Sequence, residues 1–223
     1  MKQDLEVYPG HMFRARWQQK QMTNCIDHLK PGSIAMIMDF SEIYGCLFQS
    51  EVQSGFFDRN RVTIHPMMIY YIIKEEEENK ETLVKHAIVG ISEDNKHDAD
   101  AVLEFEKQAL DIVSKDIGIQ IKEIHQWTDG CAAQYKGEKS FADISLRNKP
   151  SVCRIFFETS HGKNVCDGLG AIVKMSCYQA VISSKKIIGT AQDVSDHCEQ
   201  RLTSIKSQTE GEDKTLKTTV YNS

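Results

Sequence analysis

Five stretches of this chain, 33–40, 61–73, 82–91, 119–128 and 151–159, are rich in apolar, β-branched or aromatic residues and are bounded by turn-forming ones, so they read as strands. Helical periodicity enters only between the later members. The predicted order is strand, strand, strand, helix, strand, helix, strand, helix. A chain that opens with three successive strands and then alternates has to build a mixed sheet flanked by helices, an α/β fold. A leading helix over 11–29 precedes it, with Phe13, Trp17, Met22, Ile26 and Leu29 near helical spacing and Pro31-Gly32 as its stop. The helix over 97–117 opens at a capping pair, His97-Asp98, carries Ala101, Val102, Phe105, Ala109, Ile112 and Val113 on one stripe, and closes at Gly118. Residues 131–146 are helical in part, 166–182 form a helix and 191–202 a shorter one. Within the second strand His65-Pro66 should distort the ladder, because proline brings no N–H. Residues 41–60 form a long excursion with Gly45 and Gly55 as breakers, 74–81 an acidic hairpin connection, and 203–223 a loose polar tail. The expected division is a helical lead-in over 1–32, a core over 33–190, and a short helix with a tail over 191–223.

A length of 223 residues with 40% hydrophobic side chains is enough for a sizeable core. Seven cysteines, at 25, 46, 131, 153, 166, 177 and 198, include no Cys-x-x-Cys pair, so reduced thiols are expected rather than a disulfide framework or a zinc site. Residues 1–9 are polar and unlike a signal peptide, and the 64–73 run falls short of the ~20 residues that cross a bilayer. An intracellular protein off the membrane is therefore expected. The net charge is −5, but 131–190 holds nine Lys or Arg against four Asp or Glu, an excess of five, which leaves −10 elsewhere. Glu75 to Glu78 account for much of that remainder as a solvated loop.

Three aspartates fall at related places. Asp39 ends the first strand, Asp129 ends the fourth, and Asp167 opens the helix after the fifth. Ligands of open sheets collect at the carboxyl ends of neighbouring strands, so these acids converge if the first and fourth strands are adjacent. Clustered carboxylates repel one another unless a cation neutralises them, and hard oxygen donors suit Mg²⁺ or Mn²⁺. Two such ions would activate a water or a 3′-hydroxyl on one side of a phosphate and stabilise the leaving oxygen on the other.

The stretch Trp127-Thr128-Asp129-Gly130-Cys131-Ala132-Ala133-Gln134-Tyr135-Lys136 resembles the second-aspartate motif of retroviral integrases and DDE transposases. The 38-residue interval from Asp129 to Asp167 is similar to theirs, whereas the 90 residues from Asp39 to Asp129 exceed that of compact integrases. Phe156 to Gly170 and Met38 to Glu42 also resemble reading frames of repeated elements in animal genomes. The resemblance covers roughly 33–182. It implies an RNase H-like five-stranded sheet, Asp39, Asp129 and Asp167 as catalytic metal ligands for Mg²⁺ or Mn²⁺, DNA as partner, assembly as a homo-oligomer on DNA, and a nuclear location. The third acid is aspartate where the family carries glutamate, and no zinc-finger or helix-turn-helix pattern is recognisable upstream.

Around these acids, Lys136, His161 and Lys163 are candidates for holding the DNA backbone, the last two in a basic turn before a helix amino terminus. Glu42 is three residues from Asp39 and reads as an exposed loop acid. A thiol site of His161, Cys166 and Asp167 is a minor alternative, since a helix amino end can lower a cysteine pKa. Two other readings compete with the DNA transferase: a catalytically inactive or domesticated derivative that binds nucleic acid or protein, and a nuclease of the same fold acting on RNA or hybrids.

Overall fold

The computed structural model describes residues 2–47, 59–75, 80–158, 165–184, 186–202 and 214–222. Its elements are α1 (Lys2–Asp27), β1 (Ser33–Met38), β2 (Tyr44–Gly45), β3 (Arg61–Glu75), β4 (Lys80–Ser92), α2 (Ala99–Asp111), β5 (Glu123–Thr128), α3 (Glu138–Leu146), β6 (Ser151–Phe156), α4 (Val165–Ser184), α5 (Ala191–Leu202) and β7 (Lys214–Asn222). Six strands lie in the order β6-β5-β1-β3-β4-β7, and β2 pairs with the start of β3. β3 runs antiparallel to both β1 and β4, while β5 and β6 run parallel to β1 on its other side. The result is a mixed α/β sheet.

β1 occupies the middle because its apolar run can be covered on both faces. Ile34 to Met38 are each at most 1% exposed, and burying an Ile or Met side chain contributes about 1.5–3 kcal/mol. Side chains alternate across the sheet. Ile34, Met36 and Met38 join Met67, Ile69, Tyr71 and the α2 residues Val102, Phe105 and Ala109 in one core. On the opposite face Ile37, Met68 and Ala87 meet Met22 of α1, Trp127 and Cys166. Farther along that face, Val62, Ile64, Val89 and Ile91 pack under α4 and α5. α2 begins where Asp98 accepts a hydrogen bond from the Ala101 amide at 3.0 Å, and a π-helical turn (Ile112–Asp116) finishes it before Gly118, whose φ is +78°.

Three expectations need correction: the distortion at Pro66, the loose tail and the count of five strands. β3 continues through Pro66, which stays in register with Val89. Pro66 sits where the β1 ladder is ending: its carbonyl accepts from the Asp39 amide at 3.4 Å, and it has no N–H for the reciprocal bond. The last part of the polar tail is not loose, since β7 lies parallel beside β4 from Lys214 to Asn222, and among the described residues β2 and β7 raise the strand count from five to seven. On α1, Phe13 and Trp17 are 70% and 55% exposed, and the buried side is Met22, with Cys25 and Ile26 packed beside it. By length and composition alone α4 could cross a membrane over Val165–Ser183, with 33% of that stretch buried inside the protein.

Candidate active site

Asp39 and Asp129 each follow the last paired residue of a strand. In the parallel β1–β5 pair Ile37 stands opposite Trp127, so two residues on, Asp39 and Asp129 emerge side by side at the carboxyl edge, on strands that run about 4.8 Å apart. Ile37 and Trp127 both face α1 and the start of α4, and continued alternation carries the two aspartates to that same face. Both are half-buried. One oxygen of Asp129 accepts from the Cys131 amide at 3.0 Å, and Thr128 Oγ1 donates to the Asp129 carbonyl at 3.0 Å, so a tight turn orients this carboxylate.

Asp39 is held from the other side of the backbone. Phe40, the next residue, lies edge-on to His65 with ring centroids 4.4 Å apart and stacks on His97 at 4.2 Å. The Ser41 amide then donates to the Ile64 carbonyl at 3.0 Å. The chain leaving β1 is thus clamped to β3 for two residues past the acid.

Tyr135 lies near enough to both acids to feel their charges. It is fully buried, its hydroxyl shares a 3.2 Å hydrogen bond with His65 Nε2, and its amide donates to the Cys131 carbonyl at 2.8 Å. Burial, and after it the charges of Asp39 and Asp129, hold the phenol well above its ordinary pKa, so it stays protonated. Arg154 donates to the Tyr135 carbonyl at 3.2 Å and to Gln126 Oε1 at 2.7 Å, and its guanidinium faces the buried Glu106, which also pairs with Arg147. A buried charge in such a network costs about 3–5 kcal/mol to leave unpaired, so this loop is firmly held. Tyr135, His65, Phe40 and Arg154 were not among the predicted site residues. The available signal was the aromatic residue a few positions beyond Thr128-Asp129-Gly130.

Asp167 lies on the first turn of α4 and is exposed. Its neighbour Cys166 anchors that turn, because Sγ donates to the Ile37 carbonyl at 3.4 Å. Gly170 lets the helix approach: a Cβ there would sit 2.6 Å from Ser41 Oγ. The helix therefore starts beside the end of β1, and Cys166 feels the charges of both Asp39 and Asp167. Even so, among the described residues no three His, Cys, Asp or Glu side chains are grouped closely enough to hold a metal ion. The thiol alternative finds no support, since Cys166 is 1% exposed and burial pushes its pKa well above the ordinary thiol value. Lys136 is exposed, with Nζ 5.3 Å from the centroid of the Phe156 ring. Glu42 is exposed, and His161 and Lys163 lie outside the described residues.

A family model described as a domain of unknown function, DUF8701, matches residues 18–219. The chain belongs to the DUF8701 family. That match takes in all three aspartates, β1 to β6 and most of β7, and it shows a shared domain without assigning it an activity. No curated protein matches the chain. Carboxylate oxygens at the ends of β1 and β5 fit a hard divalent cation in donor type, and the third acid sits on the adjoining helix turn.

Proposed function

We propose that this protein is an RNase H-like polynucleotidyl transferase of the DDE transposase and integrase kind, cutting and joining DNA with Asp39, Asp129 and Asp167 as its acidic residues. The strand arrangement supports this reading: three successive antiparallel strands with the first innermost, then two strands parallel to it on its far side, are the RNase H-like pattern. The observation that carries it is the register of β1 and β5, which sets Asp39 and Asp129 next to each other at the carboxyl edge. A bound Mg²⁺ or Mn²⁺ supplies Lewis acidity for phosphoryl transfer and a lowered pKa for the attacking hydroxyl. Asp39 and Asp129 would hold it, with Asp167 approaching from α4. Tyr135, kept neutral and buried, closes the inner wall without adding charge.

Asp129→Asn is expected to abolish Mn²⁺-dependent nicking of supercoiled plasmid while the circular dichroism spectrum stays the same. Undiminished nicking would refute the assignment. The exposure of Asp167 favours a second reading, a descendant that keeps the fold and binds nucleic acid or protein without catalysis. Calorimetric titration with Mn²⁺ separates the two: binding that Asp39→Asn removes supports the enzyme, and no binding at millimolar Mn²⁺ supports the descendant.

A further inference from the structure

The outward face of α1 combines two features that a resting surface avoids. Phe13 and Trp17 are 70% and 55% exposed one helical turn apart, and Arg16 and Lys20 are interleaved with them at the i+3 and i+4 positions that make helix neighbours. Between Pro9 and Ile26 there are three basic residues and no acidic one. Among the described residues neither Arg16 nor Lys20 takes part in an ion pair. Rotation cannot hide the aromatic pair, because the opposite side of the helix is pinned. His11 and Arg14 bind the Glu158 carboxylate at 3.0 and 3.1 Å, and Gln18 donates to the Phe156 carbonyl at 2.9 Å and accepts from the Glu158 amide at 2.7 Å. Farther on, Met22 is buried against the sheet.

These same bonds fix the height of the strip. In the parallel β5–β6 pair Phe156 stands opposite Thr128, and the Phe157 amide donates to the Thr128 carbonyl at 2.9 Å, so Phe157 is level with Asp129. Gln18, Arg14 and His11 grip the chain on either side of Phe157. The Phe13–Trp17 turn therefore sits at the carboxyl edge, on the face toward which Asp39 and Asp129 emerge.

We infer that Phe13, Arg16, Trp17 and Lys20 form a track for an unpaired nucleic-acid strand leading to the acidic edge. This inference rests on the transferase reading and adds the form of its substrate. Flat rings separated by about 6 Å along the helix axis can take the faces of two bases, which only unstacked nucleotides offer, and the interleaved cations meet the phosphates. A duplex hides its base faces and leaves the rings unused. The cations also balance the setting, since the two aspartates would otherwise repel the backbone they act on.

Fluorescence anisotropy with fluorescein-labelled dT20 in EDTA, where no cleavage occurs, tests the track on the full chain. Trp17→Ala should weaken binding at least fivefold and Trp17→Phe should restore most of it, while binding to a 20-bp duplex should respond much less. The double variant R16Q/K20Q should reduce the slope of log affinity against log salt by about 1.4. Equal dT20 affinity in wild type and Trp17→Ala would overturn the track, as would a change in sedimentation, marking a protein interface, in place of a change in affinity. The two readings fail separately. If dT20 binds through Trp17 yet wild type never cleaves with Mn²⁺, the transferase reading falls and the track stands. If Mn²⁺-dependent cleavage persists with unchanged KM in R16Q/K20Q and Trp17→Ala, the track falls and the transferase reading stands.

Discussion

His65 shows how a single side chain can tie the candidate site to the stability of the sheet. It is fully buried among Phe40, Phe105 and Tyr135, its Nδ1 has no hydrogen-bond partner, and burial lowers its pKa to about 3 from 6.5. His86, between Tyr71 and Thr219, is lowered to about 4 for the same reason, with Lys217 adding to it. Both rings are neutral in the fold and would charge in the unfolded chain below pH 6.5, so the unfolded state takes up more protons there. Stability should consequently be full above pH 6.5 and fall as the pH drops toward 4. Each such histidine contributes up to about 1.4 kcal/mol of loss per pH unit. Urea midpoints measured from pH 7 to 4 should show this loss, with a shallower one in His65→Gln. An identical pH profile in that variant would mean that His65 is not held neutral.

The meeting of α4 with the end of β1 is what brings Asp167 toward the other two acids, and Gly170 makes it possible. An alanine Cβ there would lie 2.6 Å from Ser41 Oγ and 2.9 Å from Ser41 Cβ, distances at which one element must move. Gly170→Ala should displace the first turn of α4 and reduce Mn²⁺-dependent cleavage about tenfold. Ser41→Gly in the same chain removes both clashing atoms and should restore it; a double variant as impaired as the single one would rule out this steric account. Such overpacking typically costs 1–3 kcal/mol, roughly a tenfold effect when it falls on a reacting geometry. Element positions were largely legible in advance. β1, β3, β4, β5, β6, α4 and α5 fall near their predicted limits because apolar runs and 3.6-residue repeats are local signals. Pro66 was misjudged because a proline's effect depends on which neighbour its nitrogen faces, and the sequence does not say where the β1 ladder stops. The exposure of Phe13 and Trp17 was not legible, because helical spacing marks an apolar residue without saying what, if anything, covers it.

At the scale of the whole molecule, β7 closes the sheet edge that β4 would otherwise expose. His86 Nε2 is 2.8 Å from Thr219 Oγ1, Tyr221 donates to the Phe105 carbonyl at 3.1 Å, and Val220 is buried in the α4–α5 core. Ending the chain at residue 213 removes about 3 kcal/mol of apolar burial and bares a long strand edge. Tm should fall by about 10 °C and the truncated protein should aggregate on heating, as followed by light scattering. A truncated chain with unchanged Tm would mean that β7 contributes nothing to the fold. This strand was missed because Thr-Leu-Lys-Thr-Thr-Val-Tyr holds only Leu216, Val220 and Tyr221 as apolar or aromatic residues at the end of a polar stretch, too few for a periodic signal.

By itself the sequence determined most of the strand and helix segments, the α/β class, and the location of Asp39 and Asp129 at strand ends. Each of these follows from residues within a few positions of one another. Only the tertiary structure decided that β1 and β5 are neighbours, that Tyr135 and His65 stand behind the two acids, and that α1 turns Phe13 and Trp17 outward. Those facts depend on contacts across 70 residues or more and on which surfaces are left to cover which, and local spacing carries no record of either.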